Sequence, residues 1–233
     1  MASRLILLET STALCSTALA EDGKIVCERR STEPRAHASL TAPFVKEMLQ
    51  ECGWKAADCD AVCVSMGPGS YTGLRVGVST AKGLCFGAGI PLLAVSTLDV
   101  LSWQAISGKM LPDGCTCILP MVDARRMEVY TARYSPEGER LDDISAVVLD
   151  EGSFSGEFAA GPVVVIGDAA QKFEALPGRP DAGSHRFIQC CPEAASMLVP
   201  AMRKLQKKEF EDLAYFEPFY LKQFIATVPK KLF

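Results

Sequence analysis

A glycine-rich segment with one proline, residues 67–75 (Gly-Pro-Gly-Ser-Tyr-Thr-Gly-Leu-Arg), holds the residue types best suited to binding chemistry. It follows an apolar run at 61–65 that predicts a buried strand, and it precedes residues 74–88, which predict a helix. Free backbone N–H groups project from the start of a helix, and glycine permits positive φ. Such a turn either holds an anion or lets another stretch of backbone approach closely. Its residues of interest are Gly67, Pro68, Gly69, Ser70, Tyr71, Thr72, Gly73 and Arg75.

A second candidate site lies at the end of the first predicted strand, residues 4–9. Its residues are Glu9, Thr10, Ser11 and Thr12. Duplicated nucleotide-binding folds bind phosphates and a metal through an acidic residue followed by small hydroxyl side chains. This segment is therefore a candidate phosphate loop. The alternative is a polar turn whose side chains satisfy their own backbone, and the motif by itself favours that alternative.

A third candidate is the sequence Asp-Ala-Arg-Arg at 123–126, directly after another predicted strand. Two arginines beside a strand end can bind an anion or the carboxylate of a partner. A solvated hairpin with a local salt bridge is the simpler interpretation.

Composition excludes several classes of function. The chain has 24 basic and 28 acidic residues, a formal charge of −4, which argues against an autonomous nucleic-acid binder. Ten cysteines lie mostly in apolar runs without a Cys-x-x-Cys pair, which indicates a reduced, cytoplasmic protein. The only histidines are His37 and His185, and neither belongs to a recognisable catalytic set, so no catalytic residue is predicted. The apolar run near the N-terminus is too short for a signal peptide, and no run is long enough to span a membrane.

The elements that position these residues repeat along the chain in two similar halves. In the first half, strands are predicted at 4–9, 15–20, 24–30, 61–65 and 91–95, and helices at 37–51, 74–88 and from 96 to about 106. In the second half, strands are predicted at 115–122, 128–134, 144–149, 163–166 and 187–189, and helices near 151 and at 169–176 and 192–208. The pattern predicts a duplicated α/β fold with domains at 1–108 and 109–212. The C-terminal segment 213–233, aromatic-rich at 215–224, is predicted to dock back onto the first domain.

Glycine recurs in the predicted helix 74–88 in a way that indicates close contact. Gly73, Gly77 and Ala81 are four residues apart, and so are Gly83 and Gly87. Each glycine inside a helix costs about 1 kcal/mol relative to alanine, so close approach of another element would explain them. Packing against the helix at 37–51 and a protein–protein surface formed by both helices are equally compatible with the spacing.

Several segments, taken in order, resemble the bacterial TsaB family, also called YeaZ. They are 6–12, 66–77, 81–84 and 95–99, while 122–130 resembles the second-domain signature of that family. The resemblance covers about the first 135 residues and implies an actin-like, Hsp70-like two-lobed fold (ASKHA, ribonuclease H-like). It also implies a role in making N6-threonylcarbamoyladenosine at position 37 of tRNAs that read codons beginning with A.

The resemblance further implies a set of partners. In this family the glycoprotease-related paralogue TsaD transfers the threonylcarbamoyl group, TsaB binds and activates TsaD, and the small ATPase TsaE joins them. The chain would meet tRNA indirectly through that complex, would form a homodimer when TsaD is absent, and would leave ATP and metal to the partner subunits. A stand-alone ATP-dependent kinase or a protease of the same superfold is the alternative.

Residue-level expectations follow from the same resemblance. The helices 37–51 and 74–88 would form the partner surface, through His37, Leu40, Phe44, Met48, Leu74, Gly77, Val78, Ala81 and Leu84. TsaD-like proteins carry a metal-binding His-x-x-x-His pair whose two places fall here on Thr97 and Leu101. Leucine cannot ligate a metal and threonine is a poor neutral ligand. No metal site and no transfer activity are therefore expected of this chain.

Overall fold

Two five-stranded mixed sheets organise the chain in a computed structural model, which describes residues 3–178 and 183–222. The strands of the first sheet are β1 (Arg4–Glu9), β2 (Cys15–Glu21), β3 (Lys24–Ser31), β4 (Ala61–Gly67) and β5 (Leu92–Ser96), in the order β3-β2-β1-β4-β5. The first three strands form an antiparallel meander, whereas β4 and β5 add to β1 in parallel. The predicted Asp-Gly turn joins β2 to β3, with positive φ at both Asp22 and Gly23.

The second sheet repeats this arrangement. Its strands are β6 (Cys117–Asp123), β7 (Glu128–Thr131), β8 (Ser145–Val148), β9 (Val163–Gly167) and β10 (Arg186–Gln189), in the order β10-β9-β6-β7-β8. Again the first three strands are antiparallel and the last two are parallel. The predicted duplication at the level of fold is confirmed.

Helices cover both sheets, and two of them bridge the halves. The helices are α1 (His37–Glu51), α2 (Tyr71–Ala88), α3 (Thr97–Ser107), α4 (Ser155–Ala160), α5 (Ala170–Glu174) and α6 (Leu198–Lys207). Helices α1 and α2 pack on one face of the first sheet, where Val45, Met48 and Val78 meet apolar residues of β1 and β4.

Each half contributes part of the core of the other. Leu98 and Leu101 of α3 pack against Ile118 and Val164 of the second sheet. Conversely, residues of α6 and of the 3₁₀ turn before it, Ala194–Met197, pack against β1 on the remaining face of the first sheet. Residues of both halves therefore share two of the apolar clusters.

Element ends differ from the sequence-based expectations for local reasons. Helix α2 begins three residues earlier than predicted because Ser70 caps it, its Oγ accepting a hydrogen bond from Gly73 N at 3.3 Å. The predicted strand 128–134 stops at Thr131, and Tyr134 pairs again with Ile118 as an isolated bridge. The predicted helix 192–208 divides into a 3₁₀ turn and α6, whose first turn tolerates Pro200.

The chain after α6 lies along the first sheet and α2. Glu211 N donates to Leu92 O at 2.9 Å, and the Lys82 ammonium donates to two carbonyls of this segment, those of Ala214 at 3.0 Å and Phe216 at 3.2 Å. Phe219 N then donates to Met66 O at 2.8 Å. The part of the predicted docking segment beyond residue 222, Phe224 included, lies outside the described residues.

Candidate functional site

The glycine-rich turn packs directly on the loop that follows β1. A Cβ atom on Gly69 would lie 2.3 Å from Ser11 O, and one on Gly73 would lie 2.1 Å from Thr10 O. A Cβ on Gly77 would lie 2.3 Å from Thr10 Oγ1. Real Cβ atoms do not approach other atoms this closely, so all three positions require glycine. Of the two alternatives for the turn, the structure favours close approach of backbone.

Hydrogen bonds fix the same contact. Ser70 N donates to Ser11 O at 2.7 Å, and Thr10 Oγ1 donates to Gly73 O at 2.8 Å. Gly67, whose peptide bond to Pro68 is cis, has a φ of 112°. The turn and the loop after β1 thus form one hydrogen-bonded unit at the start of α2.

Glu9 is fully buried beneath this unit, and its carboxylate is used internally. Its Oε1 accepts a hydrogen bond from Ser11 N at 2.6 Å, while Oε2 has no hydrogen-bond partner among residues 3–178 and 183–222. Burial raises the pKa of Glu9 to about 7, and hydrogen bonding to Ser11 and Ser65 opposes the rise. The Ser11 N–H that a phosphate would need already donates to Glu9.

All four residues of the candidate phosphate loop are buried, with Thr12 the most exposed at 6 %. The polar-turn alternative therefore describes Glu9, Thr10, Ser11 and Thr12 better than a phosphate loop does, because the glycine-rich turn covers their outer side.

The corresponding strand ends of the second sheet meet at Asp123 and Asp168. Asp123 N donates to Asp168 Oδ1 at 2.8 Å, and burial raises the pKa of Asp168 to about 6. The local salt bridge expected for this hairpin is present, but its cation is Lys172 of α5, which pairs with Asp123. Arg125 and Arg126 are exposed instead.

The predicted partner residues on α1 and α2 divide into two groups. The half-buried ones, which stay a prediction as partner contacts, are His37, Leu40, Phe44 and Leu84. The buried ones, whose side chains lie in the interior of this chain and which also stay a prediction as partner contacts, are Met48, Leu74, Gly77, Val78 and Ala81. Met48 faces the first sheet from α1, and the other four lie along the inner side of α2. The close approach that Gly77 permits within this chain is to Thr10 in the loop after β1 and to Val64 of β4.

The outer side of α2 carries residues that sequence reasoning did not place there. Gly83 and Gly87 have no atom within 4 Å of an added Cβ, and Phe86 between them is 84 % exposed. No packing within the described residues explains glycine at 83 and 87. The sequence did contain a signal for this outer side: Gly83 and Gly87 lie on a different face of the helix from Gly77.

A stacked cluster flanks the N-terminal end of α2. The Arg75 guanidinium lies 4.2 Å from the centre of the Tyr71 ring, and its Nε donates to Tyr220 Oη at 3.2 Å. The Tyr71 and Tyr220 rings are 4.9 Å apart. Tyr220 was not a predicted site residue, because its position depends on the course of the C-terminal segment.

Thr97 and Leu101, the places of the expected histidine pair, both lie in the interior. Thr97 Oγ1 and Ser65 Oγ are 2.9 Å apart, and Leu101 packs in the cluster between α3 and the second sheet. The imidazoles of this chain lie elsewhere: His37 Nε2 is 3.0 Å from Thr12 O, and His185 Nδ1 accepts from Val163 N at 3.2 Å. Within the described ranges, no three His, Cys, Asp or Glu side chains are grouped as a metal would require.

Comparison with known proteins extends these observations. Residues 25–223 match the family model described as TsaD, tRNA N6-adenosine threonylcarbamoyltransferase. The chain is 29 % identical to the tRNA threonylcarbamoyladenosine biosynthesis protein TsaB of Escherichia coli, with 96 % of each chain covered. Identity to the Bacillus subtilis TsaB is 34 %, over 60 % of this chain and 58 % of that one.

Solved structures show the same relationship. A Pseudomonas aeruginosa protein described as similar to the peptidase YEAZ matches 94 % of this chain and 100 % of its own, with a TM-score of 0.82 at 28 % identity. An Arthrobacter polyphosphate/ATP-glucomannokinase matches with a TM-score of 0.50 at 11 % identity, over 88 % of this chain and 99 % of its own, a likeness of fold alone. The predicted actin-like two-lobed fold is confirmed by these neighbours.

Proposed function

Because the chain belongs to the TsaB/YeaZ family and matches the TsaD family model, we propose that it acts in the synthesis of N6-threonylcarbamoyladenosine in tRNA. Its role there would be that of a partner subunit of a TsaD-like transferase. The observation that carries the proposal is the match to E. coli TsaB over 96 % of both chains. The two lobes supply a scaffold, and the transfer itself belongs to the partner.

The interior of the chain supports a role without transfer chemistry. Leu101 and Thr97 stand where TsaD-like proteins are expected to carry their histidine pair, and both are completely buried. An aliphatic side chain offers a metal no lone pair, and the Thr97 hydroxyl is engaged with Ser65. A TsaD-like catalytic centre at this place would need both residues exchanged and the surrounding core repacked.

The outer side of α2 is the proposed docking face. Glycine at 83 and 87 lowers helix stability by about 1 kcal/mol each, and no contact with residues 3–178 or 183–222 compensates for it. A partner helix that approaches closely at these positions would compensate, with Phe86 as an apolar anchor. Leu40, Phe44 and Leu84 remain proposed contacts of the same two helices.

Replacing Gly83 with leucine should weaken association with the TsaD-like partner at least tenfold, because the new side chain fills the space a partner helix would occupy. The fold should persist, since no atom of the part of the chain that the structure describes lies within 4 Å of that Cβ. Calorimetric titration of the two purified proteins measures the affinity. Lys109→Leu, an exposed substitution away from α2, is the control, and an unchanged affinity for the Gly83 variant contradicts the placement of the docking face.

The proposed function is tested by reconstitution. With a TsaD-like protein, a TsaE-like ATPase and threonylcarbamoyl-adenylate, the chain should raise modification of tRNA well above the level reached without it. The chain alone should transfer nothing. Modification that is independent of the chain, or ATP turnover by the isolated chain with a defined small-molecule acceptor, would contradict the proposal in favour of a stand-alone enzyme.

The same family membership supports further proposals about assembly and place. A TsaE-like ATPase would join the complex, and the chain would pair with a second copy when the TsaD-like partner is absent. We place this assembly in the cytoplasm. In the ranges the structure describes, no helix combines the length and apolarity that crossing a bilayer needs.

A further inference from the structure

The turn between β6 and β7 carries two arginines in a backbone conformation that arginine seldom adopts. Arg125 has a φ of 70° and Arg126 a φ of 49°, both in the left-handed region. Asparagine and glycine occupy this region more readily than arginine does. Unfavourable backbone of this kind is concentrated at functional sites, where the side chain is needed for another reason.

Contacts beneath the turn hold it without using the guanidinium groups. Arg125 N donates to Asp123 Oδ1 at 2.8 Å, and Ala124 N donates to Glu128 O at 3.1 Å. The Lys172 ammonium donates to Arg126 O at 2.8 Å and to Glu128 O at 2.9 Å. The backbone of the turn is thus fixed from inside, and both arginine side chains are left on its outer surface.

Charge at this tip is not cancelled locally. Asp123 pairs with Lys172, and Glu128 pairs with Lys222 of the C-terminal segment. Neither arginine forms an ion pair or stacks on an aromatic ring with any residue in the ranges 3–178 and 183–222. Two adjacent cations that no described residue neutralises therefore stand on a protein whose formal charge is −4.

We propose that Arg125 and Arg126 bind the phosphate backbone of tRNA, an inference that rests on the proposed function. Guanidinium groups bind phosphate oxygens through paired hydrogen bonds. The two side chains stand exposed on a hairpin tip, outside both the groove beside the start of α2 and the groove beside β7 and β8, which suits an extended polyanion better than an enclosed small ligand. Contacts of this kind orient a nucleic acid without reading its sequence.

The test replaces both arginines by residues that tolerate positive φ, in the variant R125N/R126G. The variant should unfold at a higher temperature, because the backbone conformation suits asparagine and glycine. Its complex should bind tRNA roughly tenfold more weakly, from two lost charge-assisted contacts. The slope of log affinity against log salt should become shallower by about 1.5, since each phosphate contact contributes about 0.7 to 0.9.

A matched control is K109N/K208G. Lys109 and Lys208 are also exposed and left-handed, with φ of 54° and 55°, so this variant loses two charges and relieves two backbone positions elsewhere. It should keep the wild-type salt slope.

The tRNA-binding titration is run with the complex and, at low salt, with the chain alone. The role of the two arginines can then be judged even if the variant fails to assemble. A wild-type slope for R125N/R126G in both formats overturns the tRNA proposal even when reconstituted modification is normal. Weakened assembly with the TsaD-like protein at an unchanged tRNA slope overturns it as well, and assigns the arginines to partner carboxylates. Absence of modification by the wild-type complex, in contrast, counts against the proposed function.

Discussion

Replacing Gly73 with alanine should destabilise the chain by about 3 kcal/mol, towards the upper end of what overpacking costs. The added Cβ would lie 2.1 Å from the carbonyl oxygen of Thr10. That oxygen belongs to backbone, which cannot rotate away as a side chain would, so the loop after β1 or the start of α2 must shift. The shift would also disturb the hydrogen bond from Thr10 Oγ1 to Gly73 O. Urea unfolding followed by far-UV circular dichroism measures the loss.

Gly83→Ala is the matched control in the same helix. Its Cβ meets no atom of the described residues within 4 Å, so the substitution should stabilise the chain by up to about 1 kcal/mol. Equal effects of the two alanines would mean that the glycine-rich turn is not packed on the loop as described, and that helix propensity alone governs both positions.

Replacing Glu9 with glutamine should stabilise the chain at pH 8 by up to about 3 kcal/mol, with little effect at pH 4. Burial raises the pKa of Glu9 from 4.5 to about 7, so the folded state binds the proton more tightly than the unfolded state. The stability that this proton contributes is complete below pH 4.5, is lost as the pH rises to about 7, and stays lost above. A neutral amide has no such proton to lose, and its oxygen can still accept from Ser11 N.

The measurement is the free energy of unfolding of both proteins at several pH values between 4 and 8. The difference between them should grow with pH and level off near pH 7. Asp168, whose pKa burial also raises, leaves part of the pH dependence in the variant. Glu47→Gln, at an exposed position of α1, should leave the wild-type profile unchanged. A constant difference across the range would show that folding leaves the pKa of Glu9 unchanged.

Local signals predicted much of the architecture. The strands of both halves lie close to their predicted positions because each is an apolar run bounded by turn residues, a pattern that is local in the sequence. Ser96 caps α3 as predicted, with Asp99 completing the capping box. Glycine in the turn at 67–73 predicted close approach for the reason the structure gives, the lack of room for a Cβ.

Contacts between distant segments were not predictable in the same way. Helix α2 is apolar or small on nearly all sides, so its periodicity could not tell the sheet-facing Val78 from the outward-facing Phe86. The raised pKa of Glu9 depends on a turn sixty residues away that covers it. The position of Lys172 beside Asp123, which frees the two arginines, depends on how α5 packs and is invisible in the Asp-Ala-Arg-Arg motif.

The exchange of helices between the halves has a mechanical consequence. Hinged opening between the lobes would have to pull Leu98 and Leu101 out of the second sheet's core. It would also break the hydrogen bond that the Tyr134 hydroxyl donates to Asp99 across the boundary at 2.6 Å. Uncovering that apolar surface is costly, so the two halves resist being opened about a hinge. A partner in the proposed complex would therefore meet surfaces whose relative positions are fixed.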